Sequence, residues 1–255
     1  MFRNIYPVFE TKKVLKKEML ENLRDYPRTL FDIQYRGYAD GILYGCGLES
    51  ADTELTVLPG VILRKGIPYF MEEPHVVPCG AQGTLTYIKV CFADRESGAG
   101  REEYRGQVCL DGQEPEAGRE LELGRFKLQP GARLRTEYVD FGDYVTEYDT
   151  VNRIHVPYAA PGHAVVWPQV LKCFAEEMMR RRPRDPWDCA FCMGCMQARE
   201  AVPYEAIRSY LDIRLGQEQE YTNEQAYRAL QRILREAGGD EVRKTGRQDN
   251  RLLMI

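Results

Sequence analysis

Cys189, Cys192 and Cys195 stand at constant spacing in the stretch DCAFCMGCM, and no other residues of this chain come as near, by type and spacing, to a chemical site. Thiolates at short intervals hold zinc ions or iron–sulfur clusters, so a metal- or thiol-dependent protein is the first candidate. Ligand count and geometry argue against it. A ferredoxin-type run would put a fourth cysteine at 199 with proline after it, and those places hold Arg199 and Glu200. Cys173 belongs to the preceding helical pattern, and none of the three histidines falls among the helices around the stretch. On a continuous helix, steps of three spread the thiols over roughly 120° and about 9 Å of rise, too far for one tetrahedral ion. Trp187, Phe191, Met193 and Met196 share the segment, so the reading is a core helix in which cysteine packs as a small hydrophobe. No catalytic, cofactor-binding or metal-binding residue is assigned, and no cofactor is expected.

Other chemistry finds less support. The serines are Ser50, Ser97 and Ser209, and none sits in a G-x-S-x-G turn. His155 or His163 could meet a thiol, but no motif brings them together, and both read as polar residues of a proline-rich connector. Acidic pairs begin at Glu72, Glu102 and Glu176 in no catalytic frame. Neither G-x-x-x-x-G-K-[ST] nor a helix-opening G-x-G-x-x-G occurs, which leaves a phosphate cradle unsupported. RRRPR, Arg180 to Arg184, is the basic cluster; arginines there complement a helix C-terminus, an acidic partner surface is the sharper alternative, and a nucleic-acid-binding module is a third reading of the same residues.

The elements that would position these residues fall into three textures. With 255 residues and 44% hydrophobic content the chain can bury a substantial core. A net charge of -4 and a pI near 5.6 make nucleic acid an unexpected partner for the surface as a whole. Eight cysteines without a basic, apolar leader at the start point to a reducing compartment with free thiols, cytoplasmic at least during assembly, and no apolar run is long enough to span a membrane.

In TKKVLKKEMLENLRDY, Leu15, Met19, Leu23 and Tyr26 form one helical stripe that Pro27 ends or kinks, and a short helix follows through RTLFDIQYRGY with Leu30, Phe31, Ile33 and Tyr35. From Gly45 to about Arg135 the pattern turns β-branched and glycine-punctuated. In TLTYIKVCFAD, Thr86, Ile88, Val90 and Phe92 alternate with Tyr87, Lys89 and Cys91. No crossover-length helix separates these strands, so they are expected to pair antiparallel in a sandwich or barrel-like domain. After a tyrosine-rich connector, Pro168 opens a helix with Val170, Leu171, Phe174 and Met178 on its apolar face, and Pro183 stops it. Asp185–Pro186 caps and starts the cysteine helix, Pro203 starts another, and Thr222 with Gln225 forms a capping box. Together these make a small helical bundle.

The expected fold class is therefore α+β. Its parts are an N-terminal helical segment (1–44), an antiparallel β domain (45–140), a Pro/Gly/Tyr-rich connector (141–168), a helical bundle (169–237) and a flexible tail (238–255).

GYADGILYGCGLESADTELTVLPGVILRKGIPYF resembles the amino-terminal regions of phage tail and baseplate-associated proteins. The run LELGRFKLQPGARLRTEYVDFGDYVTEYDTVNRIHVPYAAPG, with LKCFAEEM, the cysteine helix and IRSYLDIR, is similar to proteins of gut Firmicutes found with phage-tail-like contractile injection systems. Members of that group often carry the label "DNA and RNA helicase", which the missing phosphate loop contradicts. The resemblance implies a non-enzymatic structural subunit of a contractile particle, at the baseplate or where fibres attach. Its partners would be other tail, baseplate or fibre proteins or further copies of itself, and no site residue is carried over.

Overall fold

The computed structural model describes residues 7–9, 11–12, 14–51, 53–81, 83–98 and 100–248; residues 1–6 of the expected N-terminal segment and 249–255 of the expected tail lie outside the described residues. Helix α1 spans Lys17–Gln34 as one element with Pro27 inside it, where the sequence suggested an end or a kink and a separate short helix beyond it. Proline removes its own N–H and frees the Leu23 carbonyl, normally a cost of about 3 kcal/mol in a helix interior. No residue of α1 is buried, so solvent reaches that carbonyl and the helix continues.

Eleven strands follow among the described residues: β1 Gly41–Gly45, β2 Leu48–Ala51, β3 Glu54–Val57, β4 Gly60–Arg64, β5 Ile67–Met71, β6 His75–Pro78, β7 Leu85–Phe92, β8 Glu96–Gly98, β9 Arg101–Glu103, β10 Gly106–Asp111 and β11 Glu120–Lys127. They form three-stranded sheets in the orders β1-β4-β5, β2-β3-β6 and β10-β7-β11, with β8 and β9 as a separate hairpin, and all these strand pairs are antiparallel. The β4–β5 turn shows why the chain is cut there: Lys65 and Gly66 both hold positive φ, 50° and 74°, the twist a tight hairpin needs. The alternation in β7 holds, but both faces are covered at its centre. Lys89 is buried opposite the Ile88 and Val90 face, with Nζ 2.8 Å from Glu120 Oε2 and 3.1 Å from Asp111 Oδ1. Burial alone would lower the Lys89 pKa, but the hydrogen bonds to these two carboxylates raise it.

The chain then returns along the sheets without forming a strand of its own. Arg125 and Asn152 exchange backbone hydrogen bonds of 3.0 and 2.7 Å, and Ile42 bonds to Pro157 and Ala159 at 2.9 Å each. A Cβ on Gly41 would come within 2.6 Å of the Ala159 nitrogen, so glycine is required where β1 lies against this segment. Val151, Ile154, Val156, Ala160 and Val166 are buried, so the stretch read as a connector fills the interior between sheets and helices.

Four helices follow among the described residues: α2 Pro168–Arg180, α3 Pro186–Gln197, α4 Tyr204–Leu215 and α5 Asn223–Gln248. The segment from Gly238, expected to be loose, is helical as far as Gln248. α2 packs against α3 and α5, α4 packs against α5, and the core runs without interruption from Leu55 and Ile88 in the sheets to Leu230 in α5. The architecture is α+β, with an N-terminal helix, antiparallel sheets and C-terminal helices.

Arg153 joins these parts, with Nη2 donating to the Cys46 carbonyl at 3.0 Å and the Tyr158 hydroxyl at 2.9 Å. Arg153→Ala strands both acceptors and leaves a hole beneath Trp167, so a loss of about 3 kcal/mol is expected, against about 1 kcal/mol for Tyr158→Phe. Urea unfolding midpoints check this; an Arg153→Ala protein as stable as the parent would contradict it.

Candidate functional site

The cysteine helix is fixed from one side. Asp185 caps it, its carboxylate accepting from Trp187 N at 2.9 Å, and Pro186 takes the first turn, where a missing N–H costs nothing. Phe191 stacks on Tyr210 with centroids 4.0 Å apart and rings 4° from parallel, while Phe174 meets both rings edge-on. The single charge of α3, Asp188, is buried and accepts from the Tyr210 hydroxyl at 2.7 Å. Arg214 Nε lies 2.9 Å from the same carboxylate as an ion pair, off the line of a hydrogen bond, and Arg214 Nη1 donates to Asp185 at 3.0 Å. The charge that would disturb an apolar helix is thus answered internally.

Cys192 and Cys195 lie on this inner face, fully buried, and Cys189 sits at its edge with Sγ 3.6 Å from the Pro183 carbonyl. Burial first, and the Asp188 carboxylate second, push the Cys192 thiol up to about 12; burial and then Cys192 do the same to Cys195. Neither offers a thiolate at neutral pH, the form that binds metals or attacks substrates. Among the described residues no group of three or more His, Cys, Asp or Glu side chains is placed to hold a metal ion.

The outer face of α3 is the unusual one. Pro186, Ala190, Met193 and Gln197 recur at steps of four, three and four, and all are exposed and uncharged. On the flanks, Trp187 is 55% and Met196 47% exposed, and Met193 itself is 46% exposed. A helix that is apolar all round belongs inside a structure. Reading the cysteines as core residues accounts for one side of α3 and misses the other, although the signal was present: twelve residues with one charge.

The remaining candidates disperse. Arg180 pairs with Glu176 at 3.6 Å, and Arg181 pairs with Glu177 at 3.7 Å and donates to the Leu234 carbonyl in the middle of α5, so half of the basic cluster is engaged within the molecule. His155 and His163, which no motif linked, line one cleft of about 610 Å³ with Glu220, Thr222 and Glu224. His163 stacks on Tyr204 at 4.1 Å, and burial, then Arg125, holds the His155 pKa below its ordinary value. No cysteine lines that cleft. A larger cleft of about 990 Å³ opens beside β5 and β10, walled by Tyr69, Met71, Phe92 and Tyr104. Two cysteines near it are not free thiols as expected: Cys91 and Cys109 form a disulfide. Strand pairing sets Cys91 opposite Gln107 and Cys109 opposite Lys89, which makes the two cysteines diagonal neighbours, a register that spacing in sequence does not reveal. No helix among the described residues is long and apolar enough to cross a membrane.

No family model matches this chain, and no curated protein sequence matches it. Among solved structures it is similar to a chain of the type VI secretion system TssK–TssF–TssG baseplate subcomplex seen by cryo-electron microscopy, at 11% identity and a TM-score of 0.42, over 92% of this chain and 99% of that one. It is also similar to TssK in a crystal structure, at 9% identity and a TM-score of 0.40, over 92% of this chain and 72% of that one. At these values the likeness does not say what this chain does.

The raised thiol pKa values set a pH dependence. An unfolded thiol ionises near 8.5, whereas Cys192 and Cys195 in the fold stay protonated to about 12. Their contribution to stability is therefore complete below about pH 8.5 and is lost as pH climbs toward 12, by about 1.4 kcal/mol per unit for each thiol. The fall between pH 9 and 10 should be shallower in Cys192→Ala, as read by denaturant titration; identical slopes would contradict the assignment.

Proposed function

We propose that this chain is a non-enzymatic assembly subunit of a phage-tail-like contractile particle, seated at the baseplate or where fibres attach. The observation that carries the reading is the outer face of α3. Trp187, Ala190, Met193 and Met196 present apolar surface from a helix whose only charge, Asp188, is buried. Water solvates such a face poorly, and covering it stabilises an assembly by about 25 cal/mol for each Å² removed. Tryptophan and methionine are enriched at the centres of protein interfaces, and the small side chains of Ala190 and Gly194 leave room for a partner's larger ones. The partner is accordingly a neighbouring subunit that offers an apolar, uncharged helix or sheet face.

The choice of particle rests on the sequence resemblance to phage-tail and contractile injection proteins. The inner face of α3 supports a structural role for the cysteines, since both core thiols are held protonated by burial.

Co-expression with the sheath, tube and baseplate genes beside its own tests the reading. The protein is expected to co-purify with at least one of those components. Trp187→Asp, on the exposed face, should weaken that association about thirty-fold or more while leaving the melting temperature within a few degrees. Failure of the unaltered protein to associate with any of them would overturn the proposal.

A further inference from the structure

We propose that Cys91 and Cys109 form a reversible redox site, opened by small dithiols and closed by small disulfides, which sets how firmly the outer strand β10 is held to β7. It involves neither α3 nor the partner of its outer face, so it stands or falls apart from the proposed function. Four of the eight cysteines are reached in part by solvent: Cys91, Cys109, Cys173 and Cys189. Cys173 on α2 and Cys189 on α3 are unpaired, so Cys91 and Cys109 are the bonded pair that a reagent in water can reach.

Both states of the pair have a place in the fold. Cys91 Sγ lies 3.4 Å from Glu120 Oε1, and Cys109 Sγ lies 3.8 Å from the Gln107 carbonyl oxygen. A disulfide sulfur has no proton to give to either oxygen, whereas a thiol is a weak donor. Opening the bond therefore leaves each new S–H beside an acceptor already in position. Nor do the strands need the bond to stay paired. Their register runs from Gly106 opposite Phe92 to Asp111 opposite Tyr87, and Lys89 of β7 binds both Asp111 of β10 and Glu120 of β11. What the bridge adds is a restraint on strands that already hold together.

The exchange balances with the two reagents alone. A thiolate of the dithiol bonds to one sulfur, and the S–S electron pair leaves with the other. The second thiol of the reagent then displaces the first sulfur. Both cysteines end as thiols carrying the two protons that the dithiol gives up, and the dithiol ends as a cyclic disulfide. Closure by a small disulfide runs through the same exchange and releases two small thiols.

β10 is the strand that feels the change. It is the outer strand of its sheet, and its Gly106, Gln107 and Val108 wall the cleft of about 990 Å³ that opens beside β5. With the bond closed, the centre of β10 cannot leave β7. With it open, only hydrogen bonds and side-chain contacts resist local opening.

The full chain, kept in native buffer with dithiothreitol or with oxidised glutathione, then alkylated in denaturant and weighed, tests this. Six free thiols are expected after the disulfide and eight after the dithiol, with peptide mapping placing the change at Cys91 and Cys109. Hydrogen exchange of the β10 amides should be about tenfold faster in the reduced protein. Cys109→Ser, which cannot close the bond, should exchange at the reduced rate with either reagent. Eight thiols with either reagent, six that become eight only once the chain is unfolded, or β10 amides that exchange equally in both states would overturn the proposal.

Discussion

Arg153 lies beneath the surface with its guanidinium 4.3 Å from the Trp167 ring centroid and no carboxylate in ion-pair reach among the described residues. A buried cation without a counter-charge is expensive, and here it is held by a backbone carbonyl, a phenol and an indole face. Its Nε has no hydrogen-bond partner among the described residues, which adds to that cost. Each contact belongs to a different part of the molecule. Cys46 closes the turn between β1 and β2, Tyr158 lies on the returning segment that pairs with β1, and Trp167 immediately precedes Pro168 at the start of α2. The sheets and the helices are thereby held to one geometry.

From that junction the orientation of α3 follows by packing. α2 presents Phe174 to Phe191 and Tyr210, and behind them Tyr227 stacks on Phe141 at 4.8 Å and donates to its carbonyl at 2.5 Å. Asp188 can turn inward only because Tyr210 and Arg214 receive it. With the aromatic rings, the thiols and the one carboxylate all committed to the inner side, what remains outside is apolar and uncharged. The outward face of α3 is a consequence of how its inner face is satisfied.

What was legible in the sequence was local. Thr222 and Gln225 exchange the bonds of a capping box at 3.3 and 2.9 Å, Asp185 caps α3, Pro168 opens α2, and the period-two pattern of β7 survives intact. Each depends on neighbours a few residues away. The features that escaped depend on distant partners or on context. Pro27 reads as an end or a kink because proline costs a helix interior, and nothing in the sequence says that no residue of α1 is buried. The disulfide needs the register of β7 on β10. Arg153 has no motif, because its partners lie 107 residues upstream and five residues downstream. Lys89 was expected on a strand face, but its burial required two carboxylates from β10 and β11 to converge on it.

Oxidative footprinting of Trp187, Met193 and Met196, in the isolated chain and in the assembled particle, tests the central claim most directly. Exposed indole and thioether groups react readily, and covered ones do not. The account predicts rapid oxidation of all three in the isolated protein and at least tenfold protection in the particle, a difference of about 1.4 kcal/mol or more in the free energy of exposing them. Equal oxidation in both states would contradict it and leave the outer face of α3 without a partner.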